Sequence, residues 1–406
     1  LLQGRENCKN GSRNLIEASV QRLLSLALIP VLLAPPASTH AQTTQRDTAL
    51  SYEQQGNLPE AESAWHAILK AHPNDAEAYA HLGLIAGHQE HYKEAATLYR
   101  KALALSPSQQ GVRLNLGLAL FKAGEMKEAV PVFAQLLKSA PADSPDAQRY
   151  TILLAMSHYG AAQYAEAVPL LKQAAANDAQ NLAIRMTLAH SCLWSRQFQC
   201  VLDTYHEILS LNAESAEADM LAGEASDELH DRGGAIEQFR AAVKANPTEP
   251  NVHFGLGYLL WTQRLFEEAI TELQAELVND PQHAQAMLYL GDAYTQLNQP
   301  EKARPLLEKA LTTNPSFWRA HLDLGILDAA AGHNDEALRH MEQAAKLQPN
   351  EVNIHMRLGR LYKAMGNNAQ AKAEFAKANN LTHAADEGVL KEMTPKSQPA
   401  PSPTPQ

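Results

Sequence analysis

The residues with catalytic or metal-binding side chains set the first question, because their spacing limits what chemistry this chain performs. His206-Glu207-Ile208-Leu209-Ser210 begins like a zinc-protease helix motif. In that motif two histidines four residues apart hold the metal and the glutamate activates water; here Ser210 stands where the second histidine is needed. His81, His88 and His91 are the closest group among 17 histidines. A metal site also needs convergent geometry and outer-shell partners, which three histidines at this spacing do not guarantee. No glycine-rich phosphate loop and no Gly-x-Ser-x-Gly nucleophile turn occurs. The sequence therefore assigns no catalytic residue, no metal ligand and no cofactor, and the chain reads as a non-enzyme.

The elements that would position any site are helical. Alanine, leucine, glutamate, glutamine and lysine recur throughout, and these side chains lose little rotamer freedom on a helix. Runs of valine, isoleucine and threonine suited to strands are missing. The formal net charge is −11 over 406 residues. An acidic chain gains nothing from the counterion release that drives binding to phosphate backbones, so nucleic acid is excluded as a partner.

Self-comparison shows how the helices are arranged. Prolines fall at Pro73, Pro107 and Pro141, then at Pro247, Pro281, Pro315 and Pro349, 34 residues apart within each series. Pro141 and Pro247 are 106 residues apart, which is three such periods plus four. Leu-Gly or Ala-Gly pairs keep the same period, ending in Gly83, Gly117, Gly223, Gly257, Gly291, Gly325 and Gly359. Twelve residues after each glycine stands an alanine: Ala95, Ala129, Ala235, Ala269, Ala303, Ala337 and Ala371. Three markers in one register specify a repeat array.

This pattern resembles the tetratricopeptide-repeat family, whose period is 34 residues. The resemblance implies an all-α fold, a right-handed α–α superhelical solenoid of about ten helix–turn–helix repeats. Counted from the markers, these are 42–75, 76–109, 110–143, 148–181, 182–215, 216–249, 250–283, 284–317, 318–351 and 352–385. The first, fourth and fifth depart from the pattern, with Ala49, Ala155 and Ala189 at the glycine position and Val201 at the alanine position of the fifth. Position 8 and position 20 are expected to be small because the two helices of a repeat cross there. A larger residue at Ala269 would overpack that contact at a cost of about 1–3 kcal/mol. Proline at position 32 stops the second helix. Leu at position 7 and Tyr or Phe at position 24 are expected to fill the space between units, pairing Leu82 with Tyr99 and Leu358 with Phe375.

The resemblance also implies a concave groove lined by positions 2, 5, 9 and 12 of each first helix, a spacing that shares one helical face. Those positions and their neighbours supply Leu114, Leu118 and Phe121; Ile152, Met156 and Tyr159; and Met186, His190, Leu193 and Trp194. Later repeats add Phe254, Tyr258 and Trp261, then Leu288, Leu322 and Ile326. The opposite face must pack on the second helix, so these helices carry two apolar stripes where one suffices. One reading is an apolar, aromatic-bearing groove for a hydrophobic peptide or helix, anchored by Trp194, Tyr258 and Trp261. The other is that positions 5 and 9 pack neighbouring first helices and belong to the core. Some family members grip a terminal carboxylate with Lys and Asn in the groove; the apolar lining here does not carry that activity over. Glu217, Glu224, Asp227 and Glu228 interrupt the lining and suit either a basic partner segment or a solvated face. Cys192 and Cys200 fall at positions 11 and 19 of one repeat, on its two facing helices. They form a candidate disulfide in an oxidising compartment or a pair of buried thiols.

Residues 1–41 read as an N-terminal extension and signal peptide. Arg13 and Arg22 precede the short apolar run from Leu23 to Ala34, and Thr39-His40-Ala41 supplies small residues at −3 and −1 of a cut before Gln42. The expected location is the periplasm or the extracellular space, with an uncleaved membrane anchor as the alternative. Repeats 1–3 then occupy 42–143 and repeats 4–10 occupy 148–385, separated by the insertion Ser144-Pro145-Asp146-Ala147. That insertion is either a hinge or a longer loop. Residues 386–393 form a candidate capping helix, and 394–406 a Pro-rich tail expected to be disordered. The function expected is a protein-interaction scaffold or adaptor. The alternatives are an accessory subunit of a separate envelope glycosyltransferase or peptidase, and a glycan-binding solenoid.

Overall fold

The computed structural model describes residues 40–212 and 214–393. Among these residues it contains twenty helices and no strand. The helices form ten consecutive hairpins. The first five are α1 (His40–Gln54) with α2 (Leu58–Ala71), α3 (Ala76–His88) with α4 (Tyr92–Leu105), α5 (Gln110–Lys122) with α6 (Met126–Ser139), α7 (Pro145–Gly160) with α8 (Tyr164–Asn177), and α9 (Leu182–Trp194) with α10 (Phe198–Leu211). The rest are α11 (Ala216–Glu228) with α12 (Arg232–Ala245), α13 (Val252–Thr262) with α14 (Phe266–Asn279), α15 (Ala284–Gln296) with α16 (Pro300–Thr313), α17 (Trp318–Ala330) with α18 (Asn334–Leu347), and α19 (Val352–Ala364) with α20 (Asn368–Met393). Residues 1–39, most of the expected extension and signal segment 1–41, and the Pro-rich tail lie outside the described residues, and α1 begins at His40. Residues 386–393, the candidate capping segment, are the last part of α20, which runs unbroken to Met393.

The hairpin turns all close the same way. The residue at position 15 is left-handed in all ten repeats, from Gly56 (φ 76°) and Glu90 (φ 62°) to Gly332 (φ 82°) and Gly366 (φ 79°). The next N–H then reaches back five residues, as from Asn57 to Tyr52 O at 2.9 Å and from Gln163 to His158 O at 2.9 Å. This satisfies carbonyls that the helix end leaves without partners. Only four of the ten are glycine; the other six are Glu90, Ala162, Arg196, His230, Arg264 and Asn298.

Within each hairpin the small position 8 makes room for the side chain at position 24. A Cβ on Gly83 would stand 2.7 Å from the Tyr99 ring, on Gly117 2.7 Å from the Phe133 ring, and on Gly359 2.6 Å from the Phe375 ring. The expected pairing of Leu82 with Tyr99 is not what forms. Tyr99 covers the glycine beside Leu82, and Leu82 joins Trp65 and Ile68 of the preceding hairpin. Leu358 likewise joins Met341 and Ala344. Position 7 thus links a repeat backwards, and position 24 closes its own hairpin.

The described residues divide into two compact units between Ala235 and Ile236, within α12. In the first unit an apolar core runs from Ala80 to Ala225, continuous across residues 144–147. The four inserted residues are absorbed into α7: Ser144 caps it, accepting a hydrogen bond from Ala147 N at 3.1 Å, and Pro145 takes the first turn. A smaller cluster around Trp65 fills the first two hairpins. In the second unit, first helices of successive repeats touch: α13 with α15, α15 with α17, and α17 with α19. That succession builds the site described next.

Candidate functional site

The second unit carries a continuous run of aromatic and charged side chains on its first helices. On α13, Phe254 is buried whereas Tyr258 and Trp261, one and two turns on, are half-buried. Tyr289 of α15 lies between them, 5.0 Å from the Tyr258 ring and 4.9 Å from that of Trp261. From α17 the Arg319 guanidinium sits 4.9 Å over the Trp261 ring and 4.6 Å over that of Trp318. A cation over an aromatic face is attracted by the ring quadrupole.

Beneath the rings are two carboxyls that water does not reach. Asp292 accepts from Trp261 Nε1 at 3.0 Å and lies 3.6 Å from Arg319. Asp323 of α17 is also buried and hydrogen-bonds to Asp292, while its Oδ2 has no hydrogen-bond partner. Burial first, and the neighbouring Asp292 second, push the Asp323 carboxyl well above the usual carboxylate range; Arg319 and Arg357 pull the other way. Burial thereby favours the protonated form of Asp323. Burial and the nearby Tyr258 push the Tyr289 hydroxyl up to about 12. The buried carboxyls fix the indole and guanidinium in place, and the half-exposed rings form the surface.

Of the sixteen groove residues read from the sequence, ten are buried: Leu114, Leu118, Phe121, Met156, Tyr159, His190, Leu193, Phe254, Leu288 and Leu322. Ile152, Met186, Trp194, Tyr258, Trp261 and Ile326 keep partial exposure. In the first unit Trp194 packs 4.7 Å from Tyr164 and 5.1 Å from His190, whose Nε2 faces Glu217 at 2.8 Å. Of the acidic residues on α11, Glu228 also pairs with Arg196, at 3.4 Å. The sequence reading missed Tyr289, Asp292, Arg319 and Asp323. Its available signal was two aspartates placed among apolar residues on the apolar side of consecutive first helices.

The other candidates take structural places. Glu207 accepts from Arg185 Nε at 3.0 Å, a charge-assisted bond that anchors α10 to α9. His81 stacks on Trp65 at 4.4 Å and faces Glu53 at 3.0 Å, while His88 and His91 are exposed. No group of three metal-ligating side chains gathers among the described residues. The Cα atoms of Cys192 and Cys200 are 5.8 Å apart, and their sulfurs are joined in a disulfide between α9 and α10.

Comparison with known proteins now adds to this geometry. One tetratricopeptide-repeat family model matches residues 46–110, 221–284, 254–316 and 290–351, and a second matches 88–151 and 328–386. Together they span more than half of the chain. The chain belongs to the tetratricopeptide-repeat family. Proteins built of tetratricopeptide repeats are generally non-catalytic scaffolds, and the family membership fits a protein-interaction role. No curated protein matches the chain significantly. Among solved structures, one of MamA is similar at 24% identity over 41% of this chain and 96% of its own, with a TM-score of 0.36. MamA from Desulfovibrio magneticus RS-1 is similar at 20% identity over 42% of this chain and 97% of its own, with a TM-score of 0.38. PilF of Pseudomonas aeruginosa is similar at 17% identity over 52% of this chain and 97% of its own, with a TM-score of 0.44.

Proposed function

We propose that this chain is a non-catalytic scaffold or adaptor that holds a partner protein against the first-helix face of its second unit. The observation that supports this is the half-exposed group of Tyr258, Trp261, Tyr289 and Arg319, locked from below by Asp292. Aromatic and arginine side chains dominate binding hot spots because they combine large contact area with a polar handle. Here their rotamers are already restrained, so binding orders little that is not ordered beforehand. The occupant that fits is an apolar peptide or helix, with Ile326 extending the apolar surface along α17. We place the protein outside the cytoplasm, on the strength of the apolar run from Leu23 to Ala34 and the small residues before Gln42. No helix among the described residues is long and apolar enough to cross a membrane.

The test is crosslinking and affinity capture from the native envelope with the wild-type chain and Trp261→Ala in parallel. The reading predicts a protein partner that is captured by the wild type and lost from a variant with unchanged helical content. Equal capture by both chains refutes this face as the site, and capture of glycan in place of protein refutes the adaptor role.

A further inference from the structure

Positions 4 and 23 of a repeat face each other across its two helices, and in two repeats of the second unit they form a hydrogen-bonded histidine–glutamate pair. His253 Nδ1 lies 2.6 Å from Glu272, and His355 Nδ1 lies 2.5 Å from Glu374. His355 also donates through Nε2 to Pro349 O at 2.8 Å. The repeat between 318 and 351 keeps the histidine and the carbonyl, with His321 Nε2 at 3.2 Å from Pro315 O. What changes is position 23. His340 stands where the glutamate would be, and the two Nδ1 atoms are 3.3 Å apart.

An imidazole pair cannot do what a histidine–glutamate pair does. With Nε2–H of His321 committed to Pro315, its Nδ1 carries a lone pair pointed at His340. Without an ion, one Nδ1–H of the pair must be shared between the two rings. Neutral imidazoles are the form that binds metals.

We propose that His321 and His340 form a binding site for a divalent transition-metal ion, zinc being the reference case. Two nitrogens 3.3 Å apart, each about 2.05 Å from a shared ion, subtend an angle of about 107°, close to tetrahedral. The outer shell is in place at His321, whose Nε2 has the Pro315 carbonyl at 3.2 Å, while the Asp328 carboxylate, held by Arg304 at 2.5 Å, lies near His340 Nε2 at 3.9 Å. Outer partners of this kind orient ligating imidazoles and raise their basicity toward the metal. Water completes the coordination, because both rings are half-exposed and no third protein ligand gathers there. Imidazole nitrogen suits zinc, nickel and copper and disfavours magnesium and calcium. The bound ion would pin α17 to α18, the hairpin next to the aromatic face.

The test is calorimetric titration of the full chain with zinc chloride, and with magnesium chloride as the control, at pH 7.5. The expected result is one zinc site in the wild type that weakens at least ~10-fold in both His321→Gln and His340→Gln, the loss that even outer-shell changes cause at such sites. Glutamine preserves a hydrogen bond between the helices without chelating. A second measurement needs no variant: peptide-mapped acylation of histidines in the wild type, with and without zinc. Zinc should protect His321 and His340 and leave the exposed His66 reactive. Zinc binding that is unchanged in both variants, or acylation of His321 and His340 that zinc does not slow, overturns the proposal.

Discussion

Replacing Trp261 by phenylalanine removes one donor from beneath the aromatic face and leaves a ring in its place. Asp292 is 1% exposed at its side chain and has three supports: Trp261 Nε1 at 3.0 Å, Arg319 at 3.6 Å, and Asp323. Losing a hydrogen bond to a buried charged group costs roughly 1–3 kcal/mol. Trp261 is half-exposed, so water reaches part of the vacated space, which puts the expected cost near the lower end, about 1–2 kcal/mol. Trp261→Ala also removes the ring contacts with Tyr289 and Arg319; full burial would make that about 3–5 kcal/mol, and half-burial reduces it to roughly 3 kcal/mol. Long repeat arrays do not unfold with one well-defined free energy, so the assay is peptide-resolved hydrogen exchange. Exchange in α13 and α15 should speed up about 5–30-fold in Trp261→Phe, the factor that corresponds to 1–2 kcal/mol. In an Asp292→Asn background the same change should have less than half that effect, because the indole then meets a neutral amide. Unchanged exchange in α15, or an undiminished effect in the Asp292→Asn background, refutes the reasoning.

Three further outcomes follow from the geometry. Ala162 is exposed and left-handed at φ 59°, whereas its neighbour Ala161 is at φ −81°. Ala162→Gly should therefore stabilise by about 0.5–1 kcal/mol and Ala161→Gly should not, which thermal unfolding of the pair checks. Asp323 has its folded-state pKa raised above the unfolded value, so the folded chain binds the extra proton. Stability is lost as pH rises from about 4, the unfolded carboxylate value, through the folded pKa. Asp323→Asn removes this loss, and its advantage over the wild type in denaturant titrations should grow with pH; a pH-independent difference contradicts the neutral-carboxyl reading. Peptide-mapped alkylation should leave Cys192 and Cys200 unlabelled until reductant is added, and reduction should destabilise the α9–α10 hairpin by about 2–4 kcal/mol. Labelling of both without reductant contradicts the bridge.

The repeat boundaries were readable because small side chains and prolines are required at fixed places whatever the neighbours are. Glycine at position 8 answers to the ring of position 24 in its own hairpin, a contact 16 residues away in sequence, as Gly83 does to Tyr99. The turns were less visible. Position 15 is left-handed in every repeat, but six of the ten carry a side chain that tolerates the strain, so no glycine marks them. The aromatic face was half legible. Spacing placed Tyr258 and Trp261 on one helical face, yet it did not separate them from Phe254 on that face or from Leu288 at the matching position of α15, both of which are buried.

By itself the sequence determined the period, the ten hairpins and the helices' two apolar stripes, because each depends on contacts within one repeat or with the next. Tertiary structure decided what covers each stripe. Leu114, Met156 and Leu322 are buried, while Trp261 and Tyr258 stay partly open to solvent. It also decided that Asp323 hydrogen-bonds to Asp292 under that face and that His321 meets another histidine. These pairings join residues 19 to 31 positions apart, and the approach of their side chains is set by how one helix lies on another, which periodicity does not encode.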